Sequence, residues 1–439
     1  MTPSRELAPS DRAVYLIDGA RSPFLKMRGG PGPFKAAELA VQAARALLLR
    51  QPFGPEDFDE VILGCVAPGP DEANIARVAS LRLGCGDRVP AWTVQRNCAS
   101  GLQAIDAAQR NIRLGRSGLV LAGGVEAMSH APILFSDDMV RWLSEWRRSR
   151  GPVERIRGLG RLRPAWLAPV IGLLKGLRDP VAGISMGQTA EILAYRFGIE
   201  REAMDAFALE SHRRLDAAGK AGHLAEISPL FDREGNNYAS DDGLRADTSM
   251  DRLAALKPVF DKPYGNVTAG NSAQVTDGAA WIIVAGEEAV SRYGLKPMAR
   301  ILDTRWAALD PAEMGMGPVH AATPILRERE LGLRDVDYWE INEAFAAQVL
   351  ACRSAWKDPR YCREVLGLEE PLGEVPADRL NVDGGGISLG HPVGASGARI
   401  VLHLAEVLKR ERGRLGMASI CIGGGQGGAL LMENVSDGA

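Results

Sequence analysis

A layered α/β fold built from two similar halves is what three features of this 439-residue chain predict. One order of elements occurs twice: a strand, a loop with a reactive residue, a helix, and a buried strand ending in glycines. Strands alternate with helices, the pattern of a sheet covered on both faces. A stretch of different composition, roughly 130–262, separates the two copies. Length agrees, since beyond about 250–300 residues chains divide into more than one core.

In the first copy, Pro90-Ala91-Trp92-Thr93-Val94-Gln95 reads as a strand leading to Cys98. A helical stretch follows from Gly101 to Leu114, then the buried strand Gly118 to Gly124. In the second copy, Leu380-Asn381-Val382 leads to a Gly-rich loop and His391. A helical stretch runs from Gly397 to Arg410, and the strand Gly416 to Gly423 carries Cys421. The two copies mark two halves, with that stretch between them. Loops at the same end of two sheets would gather Cys98, His391 and Cys421 in a cleft.

The intervening stretch has two parts. Gly187 to Gly222 is helical, with Ala190, Leu193, Ala194 and Phe197, then Met204, Phe207 and Ala208, at helical spacing. Ile133 to Pro180 is basic, with ten Arg or Lys against five Asp or Glu, in a chain of formal net charge -3. Met139, Trp142, Leu143 and Trp146 share one helical face there. Such a face is either an internal cover or a basic amphipathic surface for lipid headgroups or a partner subunit.

Composition is that of an ordinary globular protein, 46% apolar and 24% charged. The acidic balance gives no support to nucleic-acid binding. The six cysteines form no CxxC and no disulfide framework. Met1 to Arg12 has no apolar leader core, and no apolar run is long enough to span a membrane, so the expected compartment is the cytoplasm. The fifty glycines are clustered, which suggests backbone approaching a ligand or tight turns.

The chemistry lies in three places. Cys98 immediately precedes a helix, whose free N–H groups lower a thiol pKa. His391 sits among Gly384, Gly385, Gly386, Gly390, Gly394 and Gly397, an unusual place for a packing histidine. Cys421 opens the run Gly423 to Gly428, whose N–H groups suit an oxyanion hole. A dinucleotide loop is disfavoured, because too little chain follows Gly428 for the next helix and strand. No His or Cys pair has metal-ligand spacing, so no metal is expected.

The motifs are Asn97-Cys98-Ala99-Ser100-Gly101-Leu102-Gln103-Ala104, Ala122 to Ser129, Met186-Gly187-Gln188-Thr189-Ala190-Glu191, Val267-Thr268-Ala269-Gly270-Asn271-Ser272, Asn342-Glu343-Ala344-Phe345, Gly390-His391-Pro392 and Cys421 to Gly425. Through them the chain resembles the thiolase family along nearly its whole length. The resemblance implies two βαβαβαββ halves with five-stranded mixed sheets, layered α/β/α/β/α, the first half in 1–129 with 263–290, an inserted loop domain over 130–262, the second half in 291–439, and a homodimer or homotetramer. It implies thiolytic cleavage of a 3-ketoacyl-CoA to acetyl-CoA and a shortened acyl-CoA, by ping-pong through acylated Cys98, or the reverse acetyl-CoA acetyltransferase reaction. Coenzyme A enters as substrate, and no prosthetic group is implied.

By the same resemblance His391 activates Cys98 and steadies the enolate oxygen. Cys421 exchanges a proton with the α-carbon, and Asn342 holds a water in the oxyanion hole. The N–H groups of Cys98 and Gly423 hold the thioester oxygen. Arg245 lies near the adenine nucleotide. Ala269, Ser272, Ala344 and Phe345 follow the pantetheine, and Met186 and Met314 flank the acyl end. A serine common two positions after Asn271 is Ala273 here. The segment 133–180 resembles the longer loop of fatty-acid oxidation complex β-subunits. Within it Phe135 to Leu177 is expected to form a helical flap over the acyl entrance, with indole N–H groups left wet and a basic face for a partner subunit or an anionic membrane surface. Asn342, in contrast, is what short-chain acetoacetyl-CoA thiolases carry, so two chain lengths stay open. A condensing enzyme would have histidine at 342 and no use for Cys421. A non-catalytic binding relative would lack Cys98 or the His391 motif.

Overall fold

The computed structural model describes residues 12–436. The expectation of no N-terminal leader therefore lies, Arg12 apart, outside the described residues. In the N-terminal half the strands are β1 (Val14–Arg21), β2 (Glu60–Gly64), β3 (Ala91–Val94), β4 (Leu119–Ala127) and β5 (Thr276–Gly286). They lie in the order β3-β2-β4-β5-β1, and β5 is antiparallel to both its neighbours. The C-terminal half has β6 (Ala299–Ala308), β7 (Tyr338–Ile341), β8 (Leu415–Ile422) and β9 (Gln426–Asn434), in the order β7-β8-β9-β6.

Two features differ from a pair of separate five-stranded sheets. The sheets join where Tyr15 and Leu16 of β1 pair with Arg300 and Ala299 of β6. The C-terminal half is also one strand short of the expectation. Leu380 makes only an isolated parallel bridge to Trp339. The next residue, Asn381, has φ +47°, a left-handed conformation that turns the chain out of the ladder.

The helices that matter for the site are α1 (Ala36–Leu49), α2 (Ser100–Arg113), α3 (Asp137–Arg148), α4 (Pro152–Leu159), α5 (Met186–Arg196), α6 (Arg201–Ala221), α7 (Gly317–Glu328), α8 (Ala346–Lys357) and α9 (Val393–Glu411). Five layers result. α1 covers the outer face of the N-terminal sheet, and α7 the outer face of the C-terminal sheet, with α8 against α7. Between the sheets, α2 and α9 pack on each other. α9 is buried on nearly every face, as a helix enclosed between two sheets must be. Ile105, Ile400, Leu404, Val120 and Ile420 belong to this middle core.

The crossing of α2 and α9 accounts for several glycines. A Cβ at Gly101 would lie 2.8 Å from the nitrogen of Ala398, and one at Gly397 would lie 2.6 Å from that of Leu102. At Gly124 it would lie 2.0 Å from the carbonyl oxygen of Gly394. These glycines let backbones meet across the two halves; they are not a ligand cradle. For the same reason β4 runs on through Gly123-Gly124 to Ala127 instead of ending there.

In the inserted segment, Met139 and Trp142 are buried, and the Trp142 and Trp146 rings stack with centroids 6.0 Å apart. Their N–H groups are not left wet. Trp142 Nε1 donates to Gly158 O of α4 at 2.9 Å, and Trp146 Nε1 to Arg155 O at 3.2 Å. The aromatic face of α3 is thus an internal cover for α4. A buried ionic network ties the insertion to the core. Glu226 accepts from Arg21 Nε and from His403 Nδ1, each at 3.1 Å, while Asp241 takes the Arg21 fork at 2.7 and 2.8 Å. Burial works against the His403 cation, but Glu226 and Asp383 outweigh it and push its pKa up to about 10. No helix among the described residues is long and apolar enough to cross a membrane.

Candidate active site

Cys98 stands in the turn between β3 and α2. Asn97 before it takes φ +43°. Ser100 braces the turn, its hydroxyl donating to Asn97 O at 2.7 Å and accepting from Arg96 N at 2.9 Å. The Asn97 amide reaches across to the other half and donates to Gly423 O at 2.7 Å. Gly423 follows β8, and its N–H donates to the Cys98 thiol. Cys98 and Gly423 therefore share one edge of the site, and with Asn97, Gly424 and Met186 they line a cavity of about 340 Å³.

The other groups arrive at the same end of the C-terminal sheet. β7 and β8 are parallel, with Ile341 beside Ser419. Asn342 steps off β7, held by its N–H to Ser419 O at 2.9 Å, and Cys421 lies near the end of β8. Both are fully buried. His391 immediately precedes Pro392, the N-cap of α9, and is pinned by its N–H to Gln274 O at 3.1 Å. Val393, two residues on, lines the Cys98 cavity.

The protonation states follow from these surroundings. Burial pushes the Cys98 thiol up, against the bonds from Gly423 and its own N–H. The helix N-terminus does not produce the depressed thiol expected from sequence, because desolvation of the thiolate outweighs it. Cys421 is pushed well above the usual thiol range by burial and then by the Cys98 charge. Burial and the Arg399 charge hold His391 down to about 4, so its ring is neutral at pH 7. The tautomer also follows. Ser396 Oγ donates to Pro392 O at 3.1 Å, so it accepts from His391 Nδ1 at 2.6 Å. The lone pair is then on Nε2, which is buried and has no partner in the protein. Both polar atoms of the Asn342 amide are likewise buried without a protein partner. Buried polar atoms are rarely left so; the Asn342 Nδ2 suits an incoming carbonyl oxygen or water, and the acceptors His391 Nε2 and Asn342 Oδ1 suit an incoming S–H or O–H donor.

The remaining expected residues are placed as follows. Met186 lines the cavity, its sulfur 3.2 Å from where a Cβ on Gly423 would stand. Ser272 bridges to Phe345, and Ala273 N donates to Ala344 O at 3.0 Å, so these four form one strip. The Ser272 hydroxyl is engaged by Thr268 O at 2.6 Å. Ala269 is exposed, and Met314 is buried in the core of the C-terminal half. Arg245 is half-exposed, its N–H donating to His212 Nδ1 at 3.2 Å, and its charge is felt by Lys26. None of these but Met186 is on the cavity wall.

Comparison with known proteins accords with this geometry. Residues 14–288 match the thiolase N-terminal domain and residues 295–434 the thiolase C-terminal domain. The chain belongs to the thiolase family. Among similar sequences, the mitochondrial trifunctional enzyme subunit beta of Bos taurus is 34% identical over 97% of this chain and 89% of its own. The beta-ketoadipyl-CoA thiolase of Acinetobacter baylyi is 38% identical over 96% of this chain and 99% of its own. Among solved structures, the Bacillus anthracis acetyl-CoA acetyltransferase superposes with TM-score 0.83 at 37% identity, covering 96% of this chain and 99% of that one. Human mitochondrial 3-ketoacyl-CoA thiolase in complex with CoA gives 0.82 at 35% identity, over 96% and 98%.

Three residues of this thiolase escaped sequence reasoning. Glu343 accepts from Ser211 Oγ at 2.7 Å, Asn381 Nδ2 at 2.9 Å and Ile387 N at 3.2 Å, and so holds the loop that presents His391. Glu126 accepts from Val66 N, Ala67 N and Gly394 N at 2.8, 3.0 and 3.1 Å, joining the β2 loop to the first turn of α9. An acidic residue inside an otherwise apolar string was the available signal for Glu126. Ser396 is the third, five residues after His391. Ser396→Ala should lower kcat about 10-fold, since one hydrogen bond to the ring is worth about 1 kcal/mol and fixes the tautomer. KM should move less than about twofold. Steady-state kinetics at saturating CoA checks this, and equal losses in both parameters would instead mark Ser396 as a packing residue.

Proposed function

We propose that this thiolase cleaves 3-ketoacyl-CoA with CoA, giving acetyl-CoA and an acyl-CoA two carbons shorter. What supports the reading is a neutral Cys98 thiol on the cavity wall, a second buried thiol, Cys421, near enough to feel its charge, and a neutral His391 whose Nε2 has no protein partner, two residues before Val393 of the same wall. His391 Nε2 takes the Cys98 proton, and the sulfur attacks the 3-keto carbon. The bond from that carbon to the α-carbon breaks, and its electron pair forms the enolate of acetyl-CoA. Cys421 protonates the α-carbon. Gly423 N–H and the Cys98 N–H face the thioester oxygen, while His391 and Asn342 face the enolate oxygen. A second CoA thiol, deprotonated by Cys421, then displaces the acyl group from Cys98.

Every step is reversible, so acetoacetyl-CoA synthesis from two acetyl-CoA is the same chemistry run backwards. Arg245, with Lys26 near it, suits the nucleotide phosphates, and the Ser272, Ala344 and Phe345 strip suits the pantetheine. The family likeness also supports a homo-oligomer. The test is incubation with a 3-ketoacyl-CoA and CoA, then mass spectrometry of products and peptides. Acetyl-CoA, a shortened acyl-CoA and an acylated Cys98 peptide are expected. Turnover with no acyl group on that peptide would overturn the covalent route.

A further inference from the structure

We infer that the cavity beside Cys98 is an acyl chamber for an unbranched aliphatic chain of middle length, and that it selects against chains ending in a carboxylate. The inference rests on the 3-ketoacyl-CoA reading above and names its substrate class.

Three segments make most of the wall away from Cys98. Val66 and Ala67 come from the loop after β2, Met128, Ala131 and Pro132 from the end of β4, and residues 172–181 from the insertion. The inserted wall is anchored at both ends. Gly172 N donates to Pro132 O at 3.0 Å, beside the strand pair Ile133–Leu134 and Val170–Ile171. Met186 N donates to Leu177 O at 3.0 Å. A side chain at 172 would stand 2.5 Å from Pro132 O, so the approach needs glycine. Leu173 and Leu177, one helical turn apart, face the cavity, while Leu174 and Lys175 face outward and are exposed.

The chemistry of the wall is apolar. Apart from Asn97 and Cys98 at the reacting end, its polar side chains are Glu126, Arg178 and Asp179. Glu126 is held by three N–H groups, and Asp179 by those of Val181 and Ala182 at 2.8 Å each. Arg178 is exposed and donates to Gly183 O. A terminal carboxylate would therefore meet the acidic Glu126 and Asp179 and one cation, the exposed Arg178, in an otherwise apolar setting that solvates charge poorly. The nucleotide of CoA fits this wall no better, since no cluster of cations lies along it. The volume decides the length. At about 30 Å³ per heavy atom, 340 Å³ holds roughly ten atoms. An acetoacetyl group, of six heavy atoms, would leave nearly half of it empty.

The test is kcat/KM of the full-length protein for thiolysis of 3-ketoacyl-CoA substrates from four to sixteen carbons, with 3-ketoadipyl-CoA beside its unsubstituted six-carbon analogue. Each buried methylene contributes about fourfold, so burial of only half of the six added methylenes gives a rise of at least ~50-fold from four to ten carbons. The carboxylate-bearing substrate should fall at least ~10-fold below its analogue. Leu177→Trp, and independently Leu173→Trp, should cut the ten-to-four-carbon ratio at least ~10-fold, a ratio that partial misfolding leaves unchanged. A flat profile, an optimum at four carbons, equal use of the carboxylate substrate, or an unchanged ratio in both variants would overturn the chamber. Absence of thiolysis across the whole panel would instead overturn the reaction itself.

Discussion

Cys98→Ala should lose both thiolysis and condensation, by on the order of 10³-fold or more, because the covalent route disappears with the sulfur. Removing Sγ costs the fold little. Cys98 is only half-buried, and the thiol's hydrogen bond comes from the Gly423 N–H, which also faces the cavity. The Asn97 bridge to Gly423 O and the Ser100 brace do not involve the sulfur. The variant should therefore keep its thermal midpoint while its turnover collapses. Initial rates in both directions, with a melting curve of the same preparation, check this. Turnover within tenfold of the wild type would leave the cavity beside Cys98 without its chemistry.

Cys421→Ala should stop proton exchange at the α-carbon of acetyl-CoA, with overall thiolysis down about 10²- to 10⁴-fold, while acetyl-CoA still acylates Cys98 slowly. The two thiols differ in setting. Cys98 is half-exposed on the cavity, whereas Cys421 is fully buried near the end of β8, and the charge of one disfavours the charge of the other. Both cannot be thiolates together, which suits one acting as nucleophile while the other holds a proton. Deuterium uptake into acetyl-CoA and the mass of the Cys98 peptide report the two steps separately. Exchange at the wild-type rate in the variant would remove Cys421 from the mechanism.

Local sequence carried the reactive residues and the order of the elements. Cys98 before α2, His391 before α9 and Cys421 on a buried strand are visible because a strand, a loop and a helix each leave a periodic pattern around them. The repeat of that order foretold two halves, and the family resemblance implied the helical layer between their sheets. The inserted segment was legible as helical for the same reason, and its basic charge was plain. What its tryptophans touch was not. Whether the indoles of Trp142 and Trp146 meet water or the carbonyls of α4 depends on a chain reversal that no helical period encodes.

The sequence by itself determined the family and the layered α/β class, and it singled out Cys98, His391 and Cys421 as the residues proposed for nucleophile, base and second thiol. These depend on residue types at fixed local spacing. Tertiary structure alone decided the rest, because each remaining feature is a meeting of distant residues. The glycines at 101, 124, 394 and 397 became a helix crossing only once α2 and α9 lay against each other. The thiol of Cys98 was raised and not lowered because burial, a property of the whole enclosure, outweighed the local helix terminus. The free Nε2 of His391 was settled by a serine whose own proton is committed to Pro392 O. The apolar wall beside Cys98 exists because residues 172–181 fold back from the insertion onto Pro132.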